Sequence, residues 1–422
     1  MIDRNLKKKC KKNKITFDGC FFLRKKIATF ETSKYRKNNK TLNIKFMKFV
    51  VSSTELVSHL QAISRVINPK NTLPILDNFL FDLQDNELTI TASDLDSTLI
   101  TSLIIDNSQG GGKIAIEAKR LTDILKEFPE QPLTFDINME NMAVDILSEN
   151  GKFSVVGQDG DDFPRLSELK EELAHTVLIG ASVLLRGINK SVFATADDEL
   201  RPVMNGVFFQ TTPEHTSFVA SDSHKLVRYR RYDIKSNDEA SFILPKKPAL
   251  LLKNILAKES DDVKIQFDGK NAFFELTNYK LVCRLIEGQY PAYETVIPTS
   301  SPNKMIVDRL DFYNSLKRVS VFSNQASNLI KLKMDGNQLL VSAQDIDFSI
   351  SAYERINCEY NTDEMEIGFK SSFLIQIVDN LPASDIALEM ADPSRATLLL
   401  PVDKEDDNED IMMLLMPMMI HG

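Results

Sequence analysis

The segment Asn86-Glu-Leu-Thr-Ile-Thr-Ala-Ser-Asp94-Leu-Asp96 alternates apolar and polar residues and then passes through small residues into an aspartate. Two later segments have the same form, Ser217-Phe-Val-Ala-Ser-Asp222-Ser-His-Lys and Asn337-Gln-Leu-Leu-Val-Ser-Ala-Gln-Asp345-Ile-Asp347. The alternation predicts a strand, and the aspartate predicts the turn that ends it. The three aspartates are 128 and 123 residues apart, which is the size of a whole domain and far longer than a solenoid repeat. The sequence therefore predicts one kind of domain three times.

The flanking segments agree with this repeat. Each unit opens with a short strand and an amphipathic helix, and a second strand–helix pair follows the aspartate strand. The six predicted helices are residues 54–67, 117–128, 182–195, 246–258, 308–321 and 370–380. Two helices can cover one face of an antiparallel sheet. The predicted fold class is therefore α+β, with three similar domains that each pack two helices on antiparallel sheet. The predicted boundaries are 1–46 for an N-terminal extension and 47–172, 173–298 and 299–422 for the three domains.

The net charge of −9 is unevenly distributed along the 422 residues. Residues 1–46 contain fifteen Lys and Arg against three acids, so the rest of the chain carries −21. Charged residues interrupt every apolar stretch of this basic leader, which excludes a secretory signal. We interpret it as a disordered tail or as translation from a start upstream of Met47, and a nucleic-acid-binding arm is the alternative. A chain that begins at Met47 is expected to keep its stability and its oligomeric state.

The positive charge of the body is concentrated in the predicted helices. They contain fourteen Lys and Arg against seven Asp and Glu, although the body as a whole is strongly acidic. If the helices share one surface, only that surface can attract a polyanion, and its contacts would be with phosphates and independent of base sequence. Ordinary solvated helix faces are the alternative. The strongest members of such a surface are Arg186, Lys190, Lys246, Lys247 and Lys253.

The sequence offers little for catalysis, metals or membranes. The longest apolar run, residues 411–420, is too short to span a bilayer and contains a proline. Four cysteines without a CxxC pair argue against a disulfide framework or a zinc site and favour a reducing cytoplasm. No nucleotide-binding or hydrolase motif is present, and the five histidines lack metal-ligand spacing. We therefore predict no catalytic residue, no metal and no cofactor.

Two other function classes remain open from the residues alone. A hydrolase or lyase of unseen motif would use Asp94, Asp222 and Asp345 as acids. Their recurrence in three equivalent places favours a structural role in turns, because catalysis rarely needs three copies. A repeat-built interaction scaffold unrelated to DNA is the other possibility.

The C-terminal segment Met412-Met-Leu-Leu-Met416-Pro-Met-Met-Ile420 is rich in methionine. A core-facing last strand explains one of its faces. Alternation leaves the other face apolar as well, and methionine-rich surfaces suit adaptable peptide-binding sites. A peptide cleft is therefore a second interpretation of these residues.

Several motifs spread over all three units resemble one known family. They are Thr72-Leu-Pro-Ile-Leu76, Asn205-Gly206, Ser221-Asp-Ser-His-Lys-Leu226, Glu287-Gly-Gln-Tyr-Pro291, Glu364-Met-Glu-Ile-Gly-Phe369 and Met416-Pro-Met418. Together they resemble the bacterial DNA sliding clamp, the beta subunit of DNA polymerase III, from Met47 to Ile420. The resemblance implies a non-enzymatic processivity factor: a homodimeric ring, two chains head to tail, with helices inward around double-stranded DNA. It also implies peptide-motif partners: the replicative polymerase alpha subunit, the clamp loader, repair polymerases, ligase and mismatch-repair proteins.

The resemblance also implies functional residues. DNA contacts fall on Lys70, Arg201, Lys246 and Lys247, to which the charge pattern adds Arg186 and Lys190. The dimer contact falls on Phe153 and Val155 of one chain against Val321 and Phe322 of the other. The peptide cleft maps onto Met204, Ser221, Ser223, His224, Leu226, Pro291, Val296, Ser394, Leu414, Met416, Pro417 and Met418. Departures from the family pattern at Pro202, Val203, Thr295 and Met419 bear on the peptide preference.

Overall fold

A computed structural model describes residues 46–165, 167–170, 172, 174–404 and 406–420. Residues 1–45 lie outside this description, so the predictions about the basic leader stay predictions. The described chain contains six α-helices, two in each unit. They are α1 (Ser53–Ile63), α2 (Ala118–Lys126), α3 (Ala181–Ser191), α4 (Lys246–Leu256), α5 (Arg309–Ser320) and α6 (Ser371–Asn380).

Twenty-seven strands complete the described part of the fold. In the first unit they are β1 (Phe46–Ser52), β2 (Asn78–Gln84), β3 (Glu87–Ser93), β4 (Ser97–Ile104), β5 (Ser108–Gly110), β6 (Gly112–Glu117), β7 (Pro132–Asn138), β8 (Ala143–Leu147), β9 (Lys152–Val156) and β10 (Gln158–Asp159). In the second they are β11 (His175–Gly180), β12 (Gly206–Thr211), β13 (Thr216–Ser221), β14 (Lys225–Arg231), β15 (Ala240–Pro245), β16 (Asp262–Phe267), β17 (Asn271–Glu275) and β18 (Tyr279–Arg284). In the third they are β19 (Asn303–Asp308), β20 (Leu329–Asp335), β21 (Gln338–Asp345), β22 (Ile350–Asn357), β23 (Glu359–Tyr360), β24 (Met365–Lys370), β25 (Asp385–Met390), β26 (Thr397–Pro401) and β27 (Glu409–Leu415).

The predicted fold class is confirmed, and all six predicted helices are present. Five of them end before the predicted last residue, and two of these, α1 and α3, end four residues early. Helices α1 and α3 give way to 3₁₀ turns at Ser64–Val66 and Val192–Ala194. Both turns bury apolar side chains, so the apolar spacing in the sequence continues beyond the α-helix. None of the helices in the described ranges is long and apolar enough to cross a membrane.

The antiparallel sheets run across the boundaries between units. One nine-stranded sheet joins the first two units through β4 and β18, and another joins the last two through β14 and β27. Sheets of five strands in the first unit and four in the third remain separate in the single chain. We call the two joins the first seam and the second seam.

The two seams are equivalent by register. At the first seam Ser97 pairs with Cys283, and at the second Lys225 pairs with Leu415. Ser97 and Lys225 each follow the aspartate turn of their own unit, and the backbone N–H of each aspartate donates to their carbonyls. The repeat seen in the sequence is therefore also a repeat of the contacts between units.

Candidate functional site

A second apolar cluster, separate from the main core, lies on the outer face of the sheet at the second seam. Its centre is the cross-strand pair Leu226 and Leu414, each only 3% exposed. The alternate residues Val227 and Met413 face the main core instead. The buried members of the cluster are Val219, Leu226, Ile243, Tyr290, Tyr293, Ala396, Leu398, Met412 and Leu414. The face of β27 that points away from the main core is thus apolar as well, and it is packed beneath a surface segment.

That segment is the linker that follows β18. The ring of Tyr290 stacks on Phe208 at 4.8 Å between centroids, and Tyr293 meets the same ring edge-on. Burial raises the pKa of the Tyr290 hydroxyl, so this group stays protonated at neutral pH. The linker thereby holds Pro291 and Val296, both exposed, at the rim of the cluster.

The other seam lacks this apolar character. At the first seam, the residues equivalent to Leu226 and Leu414 are Thr98 and Val282. Lys280 and Arg284 lie on the same face of β18 as Val282. Of these two seams, only the second therefore offers a continuous apolar surface between units.

The C-terminal residues complete this surface. The backbone N–H of Met416 donates to the carbonyl of His224 at 2.8 Å, and that of Met418 donates to the carbonyl of Gly368 at 2.8 Å. The His224 ring stacks on Phe373 at 5.8 Å, and the Lys225 ammonium lies 4.4 Å from the centre of that ring. The tail therefore ties the turn after β13 to the edge strand β24.

The twelve predicted cleft residues fall on five segments: Met204, residues 221–226, residues 291–296, Ser394 and residues 414–418. Ser223 donates to the sulfur of Met204 at 3.5 Å, and Ser221 donates to the carbonyl of Lys225 at 2.9 Å. Ser394 lies in the turn before β26, whose Leu398 belongs to the cluster. Sequence reasoning missed Tyr290, Gly368 and Phe373, although the first two lie inside quoted motifs.

Gly368 is needed for space. A Cβ at this position would lie 2.9 Å from the carbonyl oxygen of Met418 and 2.9 Å from Leu329. The variant Gly368→Val is therefore expected to push the tail off β24 and to weaken binding at the surface between Leu226 and Met416 by about tenfold, or ~1.4 kcal/mol. Calorimetry with the ligand that the resemblance implies, a C-terminal peptide of the replicative polymerase, measures this.

Gly269→Ala is the control for Gly368→Val, because a Cβ there meets nothing within 4 Å. It should leave both the peptide affinity and the melting temperature unchanged. Equal affinity for the Gly368→Val and the unaltered chains would show that the tail position does not shape this surface.

Each of the three repeated aspartates stabilises a chain turn. The Asp94 carboxylate accepts from the backbone N–H of Ser97 at 2.7 Å, and Asp222 accepts from that of Lys225 at 2.8 Å. Asp345 accepts from the backbone N–H of Asp347 at 3.0 Å. Each carboxylate is used to close its own turn, so these contacts favour the structural role over the acid role that a hydrolase or lyase would require.

The predicted DNA-contacting cations lie in two kinds of environment. Lys70 is exposed, and Lys246, which is half-buried, has Asp197 at 3.6 Å as a carboxylate neighbour. Lys247 instead bridges the first seam, where its ammonium contacts the Asp94 carboxylate at 2.5 Å and the Val66 carbonyl at 2.8 Å. A lysine so held contributes less free charge to a surface than its sequence position suggests.

Arg186 and Lys190 bridge the second seam in a similar way. Arg186 pairs at 2.9 Å with Glu409, a buried acid at the start of β27. Lys190 donates at 2.7 Å to the carbonyl of Asn380, the last residue of α6. Both cations therefore join units as well as adding positive charge.

Arg201 lies beside the apolar surface, because its guanidinium contacts Ser223 and pairs with Asp198 at 2.9 Å. The backbone N–H of Leu200 and the Arg201 guanidinium hold the pKa of the Asp198 carboxyl below its usual value. This cation is thus shared between the predicted DNA-contacting set and the predicted cleft.

The helices form one row. Arg65, just after α1, donates to Asn254 on α4 at 2.7 Å, and Lys190 on α3 reaches the end of α6. Within each unit the two helices pack on each other. The six helices therefore share one side of the chain, as their joint excess of positive charge suggested.

The described residues contain no group of three or more His, Cys, Asp or Glu arranged to hold a metal ion. The two described cysteines, Cys283 and Cys358, are buried and unpaired. Burial raises the pKa of the Cys283 thiol to about 12, so this thiol is not a reactive nucleophile at neutral pH.

Comparison with known families covers all three units. The models for the N-terminal, central and C-terminal domains of the DNA polymerase III beta subunit match residues 47–167, 179–292 and 294–419. The chain belongs to the DNA polymerase III beta subunit family. As a member, it is a non-catalytic sliding clamp that serves as a processivity factor in DNA replication.

Individual relatives agree with this assignment. The beta sliding clamp of Synechocystis is 30% identical over 381 residues, covering 84% of this chain and 96% of that protein. The beta sliding clamp of Pseudomonas aeruginosa is 26% identical over 373 residues, covering 88% of this chain and 100% of the relative. A crystal structure of the Pseudomonas aeruginosa sliding clamp bound to griselimycin superposes with a TM-score of 0.83 at 25% identity, covering 89% of this chain and 100% of that one.

Proposed function

We propose that this sliding clamp is a head-to-tail dimer of two chains that encircles double-stranded DNA in the cytoplasm. The observation that carries the proposal is the pair of open strand edges at the two ends of the chain. Strand β9 ends the five-stranded sheet, and β22 ends the four-stranded sheet. Together they would form a third nine-stranded sheet like the two already present. Exposed edges invite such pairing, and a closed dimer leaves neither edge open.

The repeat predicts the register of this third seam. By equivalence of the strand pairings, Ile350 takes the place of Ser97 and Lys225, and Val155 takes the place of Cys283 and Leu415. Ile350 of one chain should therefore lie opposite Val155 of the other, and Ala352 opposite Phe153. In this proposed register the predicted interface residues Phe153 and Val155 would lie in the contact.

Exposed apolar side chains at both ends support the same contact. Phe322 is 39% exposed, whereas the residues at its equivalent positions, Val66 and Ala194, are fully buried beside their seams. Val156, at the end of β9, is 75% exposed. These side chains are exposed in the single chain because, in the proposed dimer, the unit that covers them belongs to the other chain.

The row of helices supplies the surface toward DNA. Two chains would present twelve helices, and this row carries the exposed Lys253 and the half-buried Lys246. Contacts of this kind attract phosphates without reading bases, which permits sliding. We assign the DNA contacts to Lys70, Arg201, Lys246 and Lys247, with Arg186 and Lys190 as further charges near the second seam.

The apolar surface at the second seam serves as the peptide cleft in this proposal. Its centre at Leu226 and Leu414 and its rim at Pro291 and Met416 can hold a few apolar anchors of an extended peptide. The expected ligands are short motifs of the replicative polymerase alpha subunit, the clamp loader, repair polymerases, ligase and mismatch-repair proteins. The supporting observation is that the equivalent first seam lacks this apolar face.

The variant Leu226→Thr places in the cleft a residue of the kind found at the equivalent position of the first seam, Thr98. It should weaken binding of a polymerase C-terminal peptide by about tenfold or more, since it removes apolar contact and adds a hydroxyl. Removal of the chain from Met416 onward should abolish binding. Calorimetry measures both effects.

Val282→Thr is the matched control for Leu226→Thr, because it makes a comparable change in the partner of Thr98 at the first seam. It should cost similar stability and leave peptide affinity intact. If the tail truncation and Leu226→Thr bind the peptide as well as the unaltered chain, the cleft assignment is wrong.

A further inference from the structure

The outer face of the third unit carries an open groove of about 840 Å³. Its floor is formed by outward-facing residues of β20, β21 and β22, and the tail forms one wall. The lining includes Leu329, Lys331, Leu340, Ile346, Tyr353 and Met418. Met418 also belongs to the proposed peptide cleft, so the groove and the cleft adjoin along the tail.

The same face is covered in the second unit. The strand pairings make Phe208 equivalent to Lys331, and Arg228 equivalent to Tyr353. In the second unit Tyr290 stacks on Phe208, and Tyr293 packs beside it. The segment that fills the face contains an aromatic residue followed by proline, Tyr290-Pro291.

The first unit has a related segment after its last long strand. The turn Gly160–Asp162 packs on β6 and β2, and the following Phe163 is only 6% exposed. Phe163 is followed by Pro164. Two of the three units therefore carry an aromatic–proline segment just after their last long strand.

In all three units the chain leaves that strand along the same path. Gln158 pairs with Ala115, the N–H of Ile286 donates to Ile243, and the N–H of Met418 donates to Gly368. These contacts occupy equivalent positions of β6, β15 and β24. In the third unit the described tail, through Ile420, lines the groove with Met418 and Met419 and leaves it open.

Arg355, a charged residue in the groove, indicates the charge of the segment that would bind there. Arg230 in the second unit pairs with Glu294 of the covering segment at 3.1 Å. The equivalent residue in the third unit is Arg355, which is exposed and has no carboxylate within 4.0 Å among the described residues. Its guanidinium lies 5.3 Å from the centre of the Tyr353 ring. An acidic side chain is thus the missing partner in this groove.

We propose that this groove is a second docking site for a clamp partner, and that it takes an extended segment with an aromatic residue, a proline and a nearby acidic residue. The proposal rests on the proposed peptide function, because a protein held in the cleft can reach the groove past Met418. The aromatic ring fills the space between Leu340 and Tyr353, and the acid pairs with Arg355.

The probe is a fluorescent synthetic peptide that copies residues 286–297, Ile-Glu-Gly-Gln-Tyr-Pro-Ala-Tyr-Glu-Thr-Val-Ile. Binding to the full chain is measured by anisotropy. We expect saturable binding that Leu340→Glu and Arg355→Glu each weaken by about tenfold or more. A peptide with Glu294→Lys should bind the unaltered chain weakly and regain affinity for the Arg355→Glu chain. Lys304→Glu, the same charge change in the other sheet of the third unit, should have no effect.

The Leu226→Thr chain separates this site from the cleft. It should lose affinity for the polymerase peptide and keep its affinity for the probe. The groove can therefore be tested even if the cleft assignment is wrong. Loss of probe binding in the Leu226→Thr chain would place the probe in the cleft and overturn the second site. Unchanged binding in both Leu340→Glu and Arg355→Glu chains, or no restored affinity with the charge-exchanged pair, would also overturn it.

Discussion

A chain with Phe322→Glu is expected to sediment as a monomer at concentrations where the unaltered chain is a dimer. The side chain is 39% exposed in the single chain, and its equivalents Val66 and Ala194 are fully buried at their seams. Burying an unpaired carboxylate in place of an aromatic anchor should cost ~3 kcal/mol or more, so the dimer affinity should fall by at least a hundredfold. Analytical ultracentrifugation over a dilution series measures this effect.

Leu310→Glu is the control for Phe322→Glu, since Leu310 is also exposed but lies in the first turn of α5, whereas Phe322 follows the last turn of that helix. That variant should remain dimeric. A cysteine pair tests the register independently: Ile350→Cys with Val155→Cys should cross-link two chains under mild oxidation. A dimeric Phe322→Glu chain without such cross-linking would rule out the proposed third seam.

Linearising a nicked circular DNA should release essentially all of the loaded clamp, whereas the intact circle should retain it through gel filtration at moderate salt. The body of the chain carries −21, so its overall charge opposes DNA, and within the body phosphates are attracted by the helix row and by the proposed contacts Lys70 and Arg201. Retention must then come from topology, because a closed ring cannot leave a circle without opening. Release measured before and after cutting the same circle is the readout.

Lys246→Glu combined with Lys253→Glu should slow loading and remove direct DNA contact while the dimer and peptide binding persist. Lys247→Glu is a different case, because Lys247 holds the Asp94 carboxylate and the Val66 carbonyl across the first seam. That variant should also lower the melting temperature. In the linearisation experiment described above, a clamp that stays on the linear DNA would be bound by direct contact, and this result would refute encirclement.

The repeat, the elements and the net positive charge of the six helices taken together could be predicted from the sequence alone. The aspartate strands are 128 and 123 residues apart, and each is a local pattern whose alternation and turn chemistry act over a few residues. The predicted helices erred only at ends such as Ile63, where a 3₁₀ turn continues the apolar spacing. Such elements can be predicted from the sequence because the residues that interact within them are also close together along the chain.

What each cation does was decided only by the tertiary structure. The sequence placed Lys246 and Lys247 side by side as equal DNA contacts. In the fold both side chains are half-buried, but Lys246 lies near Asp197 of its own unit, whereas Lys247 contacts Asp94, 153 residues away. Lys190 likewise finds the carbonyl of Asn380, 190 residues away. Charge counted along a chain cannot separate these cases, because the packing of different units sets which carboxylate or carbonyl lies within reach.

The cleft, the tail and the groove show the same division. The methionine-rich end predicted an adaptable apolar surface, and its location on β27 followed from the strand pattern. The need for glycine at position 368 depends on the approach of Met418 to β24, and the open Arg355 depends on which unit is left uncovered. Strand pattern therefore determined the elements of this clamp, whereas contacts between units far apart in sequence determined how its surfaces are used.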